Sequence, residues 1–354
     1  MRINNNLKLF IYLFFLSFSL LSANKDTYLS NYIMFGYDSN VSKFSSSENL
    51  DFNDSFYLTF KPSIKKSVNF FKNKNRKTKI SFSGKMSYYI DVEKKSNEGY
   101  YLNISQSIGN YQKLKFYHAY LSDIYIREYA DLDLLVSDNL YTGSDCYFDL
   151  IKYKISYESP YLGEKDKIEI SIYNELQYYS SEFTEYDLDI MGIEGKFFTK
   201  RSDNRYSFQF GYAQADTLYS HIPYLLSDDF AGNTLRLVDR SYEENSIKIS
   251  YDMPFLNDNV LGFSVAKKQR KYLSNNDYIV NGVTIVDQLH KDRKHREFYL
   301  NIWLAFNNQN RKNKIQLSYR QKDTISPYSW VQDLKSFSKF NLEYIVYFNK
   351  IKIG

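Results

Sequence analysis

Residues 79–91 read KISFSGKMSYYID. The even positions Ile80, Phe82, Gly84, Met86, Tyr88 and Ile90 are apolar or small, and the odd positions Lys79, Ser81, Ser83, Lys85, Ser87 and Asp91 are polar. Successive side chains of a strand point to opposite faces, so this alternation describes a strand with one greasy and one wettable side. The same period recurs upstream at Phe56, Leu58, Phe60 and Ile64, and downstream at Ile151, Tyr153, Ile155 and Tyr157, at Ile168, Ile170 and Ile172, and at Tyr206, Phe208, Phe210 and Tyr212. It continues through Ile247, Ile249 and Tyr251, then Leu261, Phe263 and Val265, then Phe298 to Phe306, Ile315 to Tyr319, and Phe340 to Phe348. With the weaker segments filled in, about fourteen strands are expected, starting near residues 28, 54, 77, 100, 113, 146, 167, 186, 205, 244, 259, 294, 313 and 336.

The connections sort into two sets. Short polar links such as KNKNRK (72–77), GNYQK (109–113), KRSDN (200–204), LNDN (256–259) and NNQNRKN (307–313) alternate with longer ones near 39–53, 128–145, 216–243, 273–293 and 321–335. Two further links on the long side, near 92–99 and 181–185, are shorter. Tight turns at one rim and longer loops at the other are the habit of an up-and-down transmembrane β-barrel, and an even strand count puts both chain ends at the tight-turn rim. Facing strands support this. With the link centred near residue 162, Ile155 is expected opposite Ile170 and Lys154 opposite Ser171; near residue 310, Leu304 is expected opposite Leu317.

Composition agrees. Of 354 residues, 36 are tyrosine and 27 phenylalanine, with only 5 prolines and 13 glycines, which suits long uninterrupted strands. Aromatics recur near strand ends, at Tyr88, Tyr157, Tyr178, Tyr251, Tyr319 and Phe348, as in an interfacial girdle. The competing reading is the core of a soluble β-sandwich or solenoid. Such a core would draw more on Val, Leu and Ala and would not explain loops that alternate in length.

The first 25 residues, MRINNNLKLFIYLFFLSFSLLSANK, have the layout of a secretory signal peptide: a basic start at Arg2 and Lys8, thirteen mostly apolar residues from Leu9 to Leu21, then Ser22 and Ala23. The apolar run is shorter than the ~18 residues a helix needs to cross a bilayer, although an uncleaved anchor helix is the competing reading. The expected organisation is a signal peptide over 1–23 and a barrel over 24–354. No cysteine follows the apolar run, which excludes lipoprotein processing.

Charge and cysteine narrow the partners. The formal charge is +5, or +3 without Arg2 and Lys8, and it is dispersed, so no nucleic-acid footprint is present. The lone Cys146 excludes an internal disulfide and Cys-based zinc or thiol-exchange motifs. The partners expected are outer-membrane lipid and lipopolysaccharide, the barrel-insertion machinery, and an unidentified solute or surface partner.

Fourteen strands at ~4.8 Å spacing and ~40° tilt imply a diameter of roughly 28 Å, wide enough for a lumen. The polar faces supply the candidate lumen lining: Lys79, Lys85, Lys152, Lys154, Lys248 and Arg320 against Glu169, Glu175, Glu297 and Glu343, with Asp187 and Asp189 beside them. Mixed signs suit cross-strand ion pairs that stiffen the wall, or a modestly polar channel. Two long loops are apolar. Within 128–145 stand Leu134 and Leu135, and within 216–243 stand Tyr224, Leu225, Leu226 and Phe230; these six are candidate gating residues. The same loops equally suit a static cap or strands extended beyond the bilayer.

Catalysis finds little. His118 and Ser122 share a strand face but lie ~13 Å apart along it. The run HKDRKHRE (290–297), with His290 and His295, has no metal-site spacing and reads as a solvated charged run where a strand begins. No cofactor is expected, and neither is an enzyme.

The stretch Gly36-Tyr37-Asp38-Ser39-Asn40-Val41 resembles the GYDSN-type opening of bacterial outer-membrane barrels, including the barrel portion of surface lipoprotein assembly modifiers. The stretch Asp292-Arg293-Lys294-His295-Arg296, feeding the strand Phe298 to Phe306, is similar as well. The resemblance implies an outer-membrane barrel. Assembly modifiers carry a helical-repeat domain ahead of the barrel, and residues 24–354 read as barrel alone. Outer-membrane barrels also commonly end in an aromatic residue, whereas here Phe348 is followed by Asn349 to Gly354. The role expected is a channel or gated transporter for small polar or amphipathic solutes, with a non-conducting surface-display, adhesion or export-assisting barrel as the alternative.

Overall fold

The computed structural model describes residues 27–45, 54–69, 76–109, 111–130, 143–163, 165–180, 187–218, 240–256, 259–274, 277–280, 283–286, 288–308, 311–348 and 351–353. The signal-peptide residues and the six gating candidates (Leu134, Leu135, Tyr224, Leu225, Leu226 and Phe230) lie outside them.

Alternation becomes wall. The strands are β1 (Thr27–Asp38), β2 (Ser55–Val68), β3 (Thr78–Tyr89), β4 (Asn97–Ser107), β5 (Lys113–Ala130), β6 (Gly143–Gly163), β7 (Asp166–Tyr179), β8 (Leu188–Arg201), β9 (Asn204–Thr217), β10 (Tyr242–Phe255) and β11 (Asn259–Tyr272). A hairpin, β12 (Asp277–Val280) and β13 (Val283–Val286), pairs only with itself. The wall resumes with β14 (Lys294–Asn308), β15 (Arg311–Ile325) and β16 (Phe337–Tyr347). Each wall strand pairs antiparallel with the next, and β16 returns to pair with β1, so the fourteen-stranded sheet is closed. A last short strand, β17 (Ile351–Ile353), continues the line of β16 along the start of β1. That line therefore runs past Phe348, the aromatic residue at which the sequence seemed to end it.

The registers fix the shape. The partner line that leaves β1 low, at Leu29, passes Ile64, Phe82 and Leu102 and reaches β15 at its upper end, Ile325. Continued round the wall, the stagger is about 16 residues, which for fourteen strands corresponds to a tilt of about 38° and a diameter of about 27 Å. Two expected registers are corrected. Ile155 pairs with Ile172 and Ser156 with Ser171, and Leu304 pairs with Ile315, each two residues from expectation. The shift arises in the turns: at the first, Gly163 adopts φ 145°, a conformation closed to other residues, and the hairpin closes one residue later than a symmetric loop would. A two-residue slip keeps every side chain on its face, so the expected sidedness holds.

The greasy side faces out. Ile170, Ile172, Ile247, Ile249, Leu317 and Leu342 are each about half exposed, in a continuous band around the closed sheet. So much contiguous apolar surface is incompatible with water and suits acyl chains; closure leaves no unpaired sheet edge for lipid to meet. Exposed Tyr88 and Tyr178 stand toward the long-loop rim, and Tyr157 and Tyr161 toward the short-turn rim, where Tyr206, Tyr251 and Phe263 also stack at 4.8 and 5.6 Å. The wettable side faces in, with small pairs such as Thr59 with Ser87 (2.8 Å) and Ser156 with Ser171 (2.8 Å). Among the described residues, three inward aromatic rings lie over cross-strand glycines: Tyr57 over Gly36 and Trp303 over Gly262, where an added Cβ would meet the ring at 2.2 Å, and Tyr173 over Gly192, at 2.4 Å.

Some strands outrun a bilayer. β5 has 18 residues and β6 has 21, so their upper ends rise above the lipid band and take in both ends of the expected 128–145 loop. Two bulges in β5, between Leu121 and Ile124 and between Tyr125 and Arg127, each insert one residue. Together they restore parity, so Ile126 and Arg127 face the interior opposite Cys146 while Tyr125, opposite Tyr147, stays on the outer side.

Candidate functional site: the inner wall and the mouth

All ten candidate lumen residues lie on the inward face. Lys152 meets Glu175 at 2.9 Å, Lys154 meets Glu194, and Glu169 meets Lys115 at 2.7 Å. Arg320 meets Glu297 at 2.8 Å, and Tyr57 donates to Glu343 at 2.6 Å. Lys85 donates to Asn97 at 3.0 Å. Lys248 is exposed to the lumen, and Lys79 is exposed at the short-turn rim. Sequence reading placed lysines beside glutamates but could not assign the pairs. Glu158, which it passed over, gathers three lysines: Lys113 (3.1 Å), Lys115 and Lys167 (3.3 Å).

These pairs are wet. Lys152 and Lys154 keep 24 % and 23 % of their side chains exposed and Arg320 keeps 31 %, so solvent reaches the inner wall. Partly solvated pairs contribute little stability each, but they tie long side chains to one another along the wall. Lysines beyond the pairs rest on rings: Lys61 over Tyr101 (4.1 Å), Lys196 over Phe198 (4.3 Å) and Lys314 over Trp303 (4.9 Å).

The mouth is different. Three segments from distant parts of the chain meet there. After β1, residues Ser39–Phe44 fold inward: Val41 has no exposed surface, and Asn40 donates to the carbonyl oxygens of Phe44 (2.8 Å) and Ser338 (3.1 Å). Lys43 takes φ 56°, an unusual conformation for a residue with a side chain, and it turns that side chain into the barrel. From the β15–β16 loop, helix α1 (Ser329–Lys335) is anchored by fully buried Val331 and by Gln332, which donates to the Ser326 carbonyl at 2.6 Å. From β5, Arg127 reaches across to donate to the Leu334 carbonyl at 2.7 Å, with its guanidinium 5.0 Å from the Phe44 ring. A 3-10 turn (Glu93–Lys95) between β3 and β4 adds Lys95, which donates to the Tyr125 carbonyl at 2.9 Å. Burial lowers the Lys95 ammonium to about 7, with Lys339 adding to the effect, and holds Lys43 and Lys335 well below the ordinary lysine range.

The run at 290–297 is a correction. Only one side of it is solvated: Asp292, Lys294 and Arg296 are exposed, whereas His290, Arg293 and His295 are 1, 2 and 3 % exposed. The alternation that builds β14 sends Arg293 and His295 inward beneath the mouth segments, against the ring of Tyr272. His118, by contrast, faces outward, stacked on Tyr153 at 4.8 Å. Sequence reading missed the mouth segments. The one signal available was the loss of two-residue alternation at SWVQDLK (329–335), with Val331 and Leu334 at helical spacing.

No protein-family model matches the chain, and no curated protein does. Among solved structures, the chain is similar to OccAB4 of Acinetobacter baumannii at 8% identity and TM-score 0.43, over 93% of this chain and 100% of that one. It is similar to the outer membrane channel DcaP of Acinetobacter baumannii at 10% identity and TM-score 0.46, over 91% and 97%. It is also similar to the outer membrane protein OprD of Pseudomonas aeruginosa at 12% identity and TM-score 0.39, over 92% and 94%.

Proposed function

We propose that the chain is an outer-membrane barrel that passes small polar or amphipathic solutes, with the segments at its mouth acting as a gate. The observation that carries the reading is the pairing of a lipid-compatible outer band with a solvent-reached, charge-lined interior in one closed sheet. A barrel built only as a scaffold has no need of a wet interior, and its inward side chains would be expected to fill it. Lysines and glutamates of both signs line the path, which suits a solute held by its polar groups better than strict selection by charge.

The second reading is a non-conducting barrel that displays its loops or assists export. It is favoured by the bond from Arg127 to Leu334, which ties the mouth segments together. Planar bilayers loaded with the folded chain separate the two. Discrete conductance steps support passage; a membrane that stays silent with heat-modifiable, folded protein present supports display and overturns the channel.

A further inference from the structure

Beneath the mouth segments the inner wall becomes strongly cationic. A cavity of about 200 Å³, roughly the space of six or seven waters, is lined by Lys43, Arg127, Arg240, Arg270, Arg293, Lys322 and Lys335. These come from the first loop, from β5, β11 and β15, from the loops before β10 and β14, and from α1. No carboxylate stands among the described lining residues. The acids within reach are few. Glu244 holds Arg270 at 2.8 Å, Glu297 lies toward Lys322 but is bonded to Arg320, and Asp187 acts on Arg240. Among the described residues, Arg293, Lys322 and Lys43 make no ion pair, and the two lysines and the guanidinium stand together on one buried wall. Gathering cations out of water without counter-charge is costly, and a bound anion is the direct way to offset it.

The donors are arranged as well as concentrated. The Arg293 guanidinium lies 3.8 Å over the ring of Tyr272 and is tied by Nη1 to the Leu289 carbonyl at 2.7 Å, while its Nε, fully buried, has no described partner. His295, 3 % exposed and lining the same cavity, has neither ring nitrogen bonded to a described residue. Stacked guanidiniums hold their plane, and a fixed fork matches the oxygens of a tetrahedral or planar anion.

We propose that this cavity binds one compact, multiply charged oxyanion of the phosphate type, received by Arg293, Lys322 and His295 under the mouth segments. The site rests on the passage reading for its purpose, as the first station a solute meets on entering the barrel, but not for its chemistry. Calorimetric titration of the folded, full-length chain in detergent with sodium phosphate at low ionic strength tests it, with sodium chloride as the reference. One saturable phosphate site per chain is expected, weakened at least tenfold in K322Q and in R293Q, and unchanged in K271Q, which removes a cation at similar height from the outer face. Heat-modifiable migration identifies the variants that have folded; should R293Q fail to fold, K322Q and K43Q carry the comparison. A folded wild type with no saturable uptake of phosphate, or a K322Q barrel that binds it as tightly as wild type, overturns the proposal. A barrel that conducts potassium chloride yet ignores phosphate loses the site and keeps passage. One that binds phosphate but never conducts loses passage and keeps the site.

Discussion

Arg127 and Leu334, 207 residues apart in the chain, are joined by a 2.7 Å hydrogen bond from the guanidinium to the main-chain carbonyl. Arg127 stands on β5 and Leu334 on the helix between β15 and β16, so the bond bridges elements separated by five strands of the wall. Arg127 faces inward opposite Cys146, above the two β5 bulges, and the fully buried Val331 seats the helix. A charged donor on a single carbonyl is a strong contact, yet it ties down only a short helix and a loop.

Replacing this strut frees the mouth. Arg127→Gln is expected to raise the fraction of time a reconstituted channel is open by several-fold, while the heat-modifiable mobility and the thermal midpoint of the wall change little. Single-channel recording alongside gel mobility checks both.

Protons act on the same segments. The Lys95 ammonium is lowered to about 7 in the folded chain from an ordinary 10.5. Between those values the unfolded or loosened segment holds a proton that the closed mouth has lost, so closure gains stability as pH rises through that window and is least stable below about 7. Lys43 and Lys335 shift in the same direction. Open probability is expected to climb as pH falls from about 8.5 to about 6, and Lys95→Met is expected to flatten the dependence.

If the barrel conducts as proposed, the paired charges of its inner wall should tune ion preference. Glu158 serves Lys113, Lys115 and Lys167, so Glu158→Gln leaves three cations with one acid fewer. Chloride permeability relative to potassium is expected to rise roughly twofold, read as a shift of the reversal potential in a salt gradient.

Inner and outer faces should respond oppositely to charge. Ile172, 58 % exposed on the outer band, stands at the middle of β7, and Ile172→Arg is expected to cost about 2–4 kcal/mol in lipid. Ser250→Arg, on the inner face of β10, is expected to cost far less. Urea unfolding of the barrel in vesicles compares the two, and equal costs would contradict the assigned faces.

Close approach at glycine gives a packing test. Gly262→Ala puts a Cβ 2.2 Å from the Trp303 ring, which must swing away into the lumen. A loss of about 1–3 kcal/mol is expected, together with a change in tryptophan emission as the ring is wetted.

Strand positions were legible because a period of two is a local property, and every strand found in the wall starts within a few residues of its expected place. Sidedness followed for the same reason. Register did not, because it is decided by turn conformation, as at Gly163, which alternation does not encode. Of the mouth, only the helix at 329–335 leaves a trace in the sequence, as lost alternation. Val41, Arg127, Val331 and His295 are ordinary residues in their own neighbourhoods and acquire a role only when closure of the sheet brings them together. The burial of His290, Arg293 and His295 differs from expectation for that reason, since a run rich in charge looks solvated until something is laid over one of its sides.

Every strand pairing along the wall joins successive wall strands except at the closure, where β1 meets β16 and β17. One side of β1 is open until β16 and β17, far along the chain, meet it. Assembly of this ring is therefore settled at its tail: a chain truncated before Phe337 keeps its hairpins but exposes two ragged borders of unpaired amides, and is left to be held, degraded or aggregated. The late meeting of Tyr32 with Tyr347 is the step at which a ribbon becomes a vessel.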